Sequence, residues 1–221
     1  MNKLFAIFFG VALATTAIAP AQADPAAGEK AFKAAKCEGC HYTTGPAREK
    51  TIADKLAMKG PELWYAGSKF QKAWLGRWLQ TPKPIRPMAD NSLTEKNRGD
   101  HPKVSADDAG NVTDYLMSLT SKDVAPAGIE PKKTPKGVQI FTKKMPCSGC
   151  HQYPEKDRAA GGFTGPSLIG AGTRLNPDWI MAYMMKPKTF KPVKMMPVFV
   201  DILNEGDMKS VVSLIASFTE E

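Results

Sequence analysis

Apolar positions along the chain fall into two series of the same form. Residues 25–36 and 135–144 read as short helices carrying Gly28-x-x-x-Phe32 and Gly137-x-x-x-Phe141. "FQKAWLGRWLQTP" (70–82) and "NPDWIMAYMMKP" (176–187) read as a second pair, with Trp74, Leu75 and Trp78 matching Trp179, Ile180 and Tyr183. Residues 106–119 and 205–218 form a closing amphipathic pair, in which Val112, Tyr115 and Leu116 align with Val211, Leu214 and Ile215. Between the series, residues 120–136 are rich in Pro, Gly and Lys and show no period, so they read as a linker. The pattern predicts an all-α chain of two units, 24–119 and 137–221.

Two polar segments repeat as well. "KPIRPM" (83–88) and "KPVKMM" (191–196) match at Lys/Lys, Pro/Pro, Ile/Val, Arg/Lys and Met/Met, with Pro87 opposite Met195. An echo of this kind in 221 residues indicates two related halves. Gly60-Pro61-Glu62-Leu63 is similarly echoed by Gly165-Pro166-Ser167-Leu168.

The first residues stand outside this scheme. A basic start at Lys3, an apolar run over 4–18 and the small-residue pattern Ala21-Gln22-Ala23 read as a secretory signal peptide, 1–23, cut after Ala23. The run is short for a membrane-spanning anchor. Periplasmic export is the expectation. Net charge is +8, or +7 once Lys3 is removed with the leader, and it is scattered rather than clustered. No nucleic-acid motif appears; such a surface suits acidic partners.

All four cysteines lie in two pentapeptides, Cys37-Glu-Gly-Cys40-His41 and Cys147-Ser-Gly-Cys150-His151. This is the attachment pattern of c-type haem. A short turn presents two thiols to the vinyl groups of neighbouring pyrroles, and the adjacent histidine faces the iron. Two disulfides would not require a histidine after each second cysteine. A four-cysteine zinc site leaves both histidines unexplained. A thioredoxin-like redox motif belongs in a βαβ pattern, which is absent. Two covalent haem c groups are expected, and a buried haem would enlarge the core of each small unit.

With these motifs in order, each half resembles a class I cytochrome c, and the pair resembles the two-domain dihaem cytochromes of the c4 type. The likeness covers nearly all of 24–221. It implies two tandem cytochrome c domains, each wrapped around one covalently attached haem, in which the first and last helices cross at Gly28/Phe32 with Val112/Tyr115 and at Gly137/Phe141 with Val211/Leu214. It also implies that the carbonyls of Pro61 and Pro166 accept the Nδ1–H of His41 and His151. A methionine would complete each iron. Met88 stands 47 residues after His41, and Met196 stands 45 after His151. Met195 is the rival that the internal alignment sets opposite a proline. Met181, Met184 and Met185 read as core.

The first half departs from the second in two places. Pro61 stands 20 positions after His41, against 15 from His151 to Pro166, and the first half carries a long polar loop, 89–105, containing His101. His101 reads as a surface-loop histidine, with a swapped ligand or a partner contact as alternatives. Trp74 and Trp179 are either packing residues or donors to a haem propionate; Arg48, Lys69, Arg77 and Arg174 are unranked propionate partners. The expected function is single-electron transfer between redox proteins with acidic docking surfaces, a membrane-associated oxidase or reductase among the candidate partners. The alternative is a haem subunit or a catalytic dihaem enzyme of a periplasmic dehydrogenase, for example in sulfur-compound oxidation, which would need an open iron or a catalytic partner.

Overall fold

The computed structural model describes residues 24–90, 92–193 and 196–220, so the leader 1–23 and the rival ligand Met195 lie outside the described residues. Chain order is α1 (Pro25–Ala34), α2 (Ile52–Ala57), α3 (Ala66–Lys69), α4 (Lys72–Gln80), α5 (Ala106–Ser118), α6 (Pro135–Gln139), β1 (Gln152–Glu155), β2 (Arg158–Gly161), α7 (Ala171–Arg174), α8 (Pro177–Met185), α9 (Pro187–Phe190) and α10 (Glu205–Ala216). Among the described residues, no helix is long and apolar enough to cross a membrane.

Matching sequence signals start matching helices. Asp24 accepts the Ala26 N–H at 2.9 Å and Pro25 takes the first position of α1. Thr134 accepts the Gly137 N–H at 3.1 Å and Pro135 does the same for α6. Proline suits that place because the N–H it lacks would have no helical partner. Beyond Gln139 the helix widens, and the Met145 N–H reaches back five residues to the Ile140 carbonyl at 2.8 Å. Ser105 and Asn204 cap α5 and α10 by accepting from Asp108 and Asp207.

The opening and closing helices of each half cross at a glycine. A Cβ on Gly28 would run into the Asn111 carbonyl and the Tyr115 side chain. One on Gly137 would meet the Ser210 carbonyl and Leu214. Close crossing then brings Phe32 to 5.5 Å from Tyr115 and Phe141 to 6.0 Å from Phe218, ring centre to ring centre. Two apolar clusters result, one around Phe32, Leu75 and Val112, the other around Phe141, Ile180 and Val211.

The halves meet through equivalent residues. Phe70 and Leu175, 105 positions apart, form an antiparallel bridge. Gln71 N–H donates to the Arg174 carbonyl at 2.9 Å, and Asn176 N–H donates to the Lys69 carbonyl at 2.8 Å. Lys69 and Arg174, like Gln71 and Asn176, are also 105 apart, so the contact is reciprocal. Tyr65 crosses over: it is fully buried in the second cluster, parallel to Trp179 at 6.1 Å and edge-on to Phe190 at 5.0 Å.

Two features differ from the expected pattern. The chain is largely helical but not all-α, because β1 and β2 pair as a hairpin directly after His151. Its four-residue strands are too short and too polar to show a period of two. Residues 120–136 are aperiodic yet fastened. Ser121 N–H donates to Ser68 Oγ, Ala127 N–H to Asp178 Oδ1 and Lys132 N–H to the Ser213 carbonyl. These are bonds to distant partners, which local sequence does not reveal.

Two outcomes follow for stability. Gly28→Ala is expected to cost about 1–3 kcal/mol through overpacking, whereas Gly110→Ala, exposed in α5 with nothing within 4 Å of its Cβ, should gain about 0.5–1 kcal/mol. Denaturant unfolding of both variants checks the pair. Asp207 at the start of α10 receives Lys144 at 2.7 Å and Lys136 at 2.9 Å, which hold its carboxyl below the usual value. A carboxyl with a lower pKa in the folded state contributes stability above its unfolded pKa and loses it as pH falls through the folded value. Asp207→Asn should therefore lower Tm at pH 7, with the difference from wild type closing in acid.

Candidate functional site

Each Cys-x-x-Cys-His segment forms one tight turn. In the first, Cys40 and His41 N–H both point to the Cys37 carbonyl, at 3.1 and 3.0 Å. In the second, Cys150 and His151 do the same to Cys147, at 3.2 and 3.0 Å. All four thiols are free. Burial raises Cys37 and pushes Cys147 up to about 11, so both are protonated thiols at neutral pH. The two turns stay apart: among the described residues, no three His, Cys, Asp or Glu side chains are grouped to hold one metal ion, as a four-cysteine zinc site would require.

His41 Nδ1 lies 2.8 Å from the Pro61 carbonyl oxygen, and His151 Nδ1 lies 2.7 Å from that of Pro166. A carbonyl can only accept, so each Nδ1 carries the proton and each Nε2 keeps its lone pair in the neutral ring. Burial lowers both imidazole pKa values, more than the carbonyl bonds raise them; His101 adds to the lowering at His41, and Arg86 at His151. Neutral imidazole is the form that ligates metals. The glycine before each proline makes the approach possible, because a Cβ on Gly60 or Gly165 would stand 2.7 or 2.6 Å from the ring Cε1. Each loop is tied back to its own turn: Leu63 N–H donates to the Tyr42 carbonyl and Leu168 N–H to that of Gln152, at 2.7 and 2.8 Å.

The expected methionines differ in their surroundings. Met196 is half-buried and packs on the second cluster, as Cys147 does. Met88 is half-buried and forms an antiparallel bridge with Lys96. It is not among the described side chains packed on the first cluster, where Cys37, Trp78 and Ile85 are. His101, read from sequence as a surface-loop residue, is instead half-buried, 4.7 Å from Trp78 and 6.0 Å from His41 between ring centres. Its isolation as the one histidine outside the two pentapeptides was the sole sequence signal.

Buried side-chain atoms without hydrogen-bond partners gather where the halves meet: the donors Trp179 Nε1 and Tyr65 Oη, and one acceptor, Glu49 Oε2. The Lys69 ammonium sits 4.8 Å from the Trp179 ring. Burial, with repulsion from Lys191, Arg174 and Arg86, pushes it down to about 7. Arg174 is buried and pushed down to about 10. Arg174 already donates to the Ser167 and Ile169 carbonyls, at 2.7 and 3.4 Å; an anion with acceptor oxygens would serve Trp179 Nε1 and the Lys69 ammonium, which is what a haem propionate offers. Two thiols, a neutral imidazole and this cationic, donor-rich border fit a covalent haem. Of the four unranked cations, Lys69 and Arg174 stand at that border. Arg48 lies over the Tyr42 ring at 3.8 Å, and Arg77 is exposed.

The two sites also touch through loops. Ser167 N–H, next to Pro166, donates to the Ile85 carbonyl at 2.8 Å, and Arg86 donates to the Thr164 carbonyl at 3.0 Å.

Residues 25–120 match the model of the Cytochrome c family. A comparison with curated proteins found no match.

Gly165→Ala should force the His151 ring off the Pro166 carbonyl. Loss of such an orienting bond typically weakens metal binding about 10- to 100-fold, so ligation by His151 should weaken and the visible spectrum of the second site should shift, with covalently held haem retained. Gly39→Ala has open space for its Cβ and should leave the spectrum unchanged.

Proposed function

We propose, from the premise of a Cytochrome c domain over residues 25–120, that the chain is an exported dihaem electron carrier. Residues 1–23 are removed on export to the periplasm, and domains 24–119 and 137–221 are joined by 120–136. Cys37 and Cys40 would anchor one haem c, and Cys147 and Cys150 the other. His41 and His151 would each ligate an iron, joined at the second site by Met196 and at the first by a residue of the segment holding Met88 and His101. Haem held there would supply one-electron chemistry between ferrous and ferric states.

The observation that carries this reading is the repeated histidine-to-carbonyl bond, 2.8 Å at His41 and 2.7 Å at His151. It keeps each ring in one tautomer and one orientation, so little has to move when charge changes. Lys69, Arg174 and Trp179 would hold propionate oxygens between the halves and keep water from that border. Reciprocal bonds about Phe70 and Leu175 hold the halves together, which supports passage of electrons within one molecule. The positive surface favours brief docking to acidic redox partners, weakened by salt.

Reductive titration of the exported protein should take up two electrons per chain, one per site. Cys147→Ala with Cys150→Ala should halve the uptake and leave the first site's bands in place. Uptake of one electron by the unaltered protein, or prompt binding of carbon monoxide at both reduced sites, would contradict a two-site carrier with closed irons.

A further inference from the structure

The His101 ring lies close to that of His41. Their ring centres are 6.0 Å apart with planes inclined by 39°. A metal–imidazole bond is about 2 Å and a ring nitrogen lies about 1.2 Å from its ring centre, so two imidazoles bound end-on to one metal have centres about 6 Å apart. The distance alone would also suit an ordinary aromatic contact. The hydrogen bonds supply a second, independent observation in favour of ligation. His101 Nδ1 lies 2.8 Å from the Pro102 carbonyl oxygen, as His41 Nδ1 does from that of Pro61. Both rings therefore spend Nδ1–H on a proline carbonyl and keep the Nε2 lone pair.

The structure also holds His101 in place. Its ring lies against Trp78, whose Nε1–H is fixed on the Lys83 carbonyl at 2.9 Å. Three residues on, Val104 is buried and its N–H donates to the Leu79 carbonyl at 2.9 Å. Met88 has its backbone held in the bridge with Lys96, flanked by bonds from Ala89 N–H to the Glu95 carbonyl and from Asn97 N–H to that of Pro87, and its side chain is not among the described ones packed on the first cluster with Cys37 and Trp78.

We infer that His101, rather than Met88, is the distal ligand of the first haem, which makes that site bis-histidine while the second remains His151/Met196. This rests on the reading that haem is attached at Cys37 and Cys40. The asymmetry has a functional consequence. Methionine with histidine raises the potential of haem iron, so the first site is the better donor and the second the better acceptor. An electron delivered to the first haem would then be favoured to pass to the second.

The test uses the full exported protein in its ferric form, with haem peptides mapped by mass spectrometry. The expected wild-type result is haem on both motifs, a sulfur-to-iron charge-transfer band worth one haem per chain, and a near-infrared magnetic circular dichroism signal of one bis-imidazole haem. His101→Gln should abolish the bis-imidazole signal and let the reduced first haem bind carbon monoxide. The second haem's sulfur band, unchanged, reports that the variant is folded. A wild-type sulfur band worth two haems, halved by Met88→Leu and untouched by His101→Gln, overturns the proposal while leaving the haem reading intact. Absence of haem from the Cys37–Cys40 peptide overturns both.

Discussion

The hydrogen bond from a motif histidine to a proline carbonyl does more than orient one ring. It spends the Nδ1 proton, leaves a lone pair on Nε2, and requires a loop close enough to touch the imidazole. That proximity in turn requires a residue without a side chain before the proline, hence Gly60 and Gly165, whose added Cβ atoms would collide with the ring. The loop can stay there only if it is anchored, and Leu63 and Leu168 bond it back to the turn that carries the cysteines. The rest of each half serves as a frame for this bond, with the opening and closing helices crossed at Gly28 and Gly137.

The same device in both halves gives the molecule its internal likeness, and the interface uses that likeness directly. Equivalent residues bond reciprocally about Phe70 and Leu175. Around this contact the chain buries Trp179 Nε1 and Tyr65 Oη without partners and crowds Lys69 among Arg174, Lys191 and Arg86. Buried donors and neighbouring cations are costly without counter-charge. The buried carboxylates Glu49 and Glu62 supply part of it, acting on Lys191, while Trp179 Nε1 and the Lys69 ammonium are left to a further acceptor.

Much of this was legible in the sequence because it depends on local chemistry. The pentapeptides, the Gly-Pro pairs and the helical spacing of Val112, Tyr115 and Leu116 are short-range signals. What escaped depends on distant partners. Tyr65 belongs by sequence to the first half but packs in the second, because its neighbours Trp179 and Phe190 lie more than a hundred residues away. The fastening of 120–136 and the hairpin after His151 likewise carry no periodic pattern. His101 reads as a loop residue because its polar neighbours hide that Trp78 and Val104 draw it inward.

The central claim is that each half presents a histidine prepared for covalent haem. The most direct test is the intact mass of the exported protein after denaturation, which strips anything not covalently held. The account predicts the mass of residues 24–221 plus two haems. The mass of the bare polypeptide, or of the polypeptide plus a single haem, would contradict it.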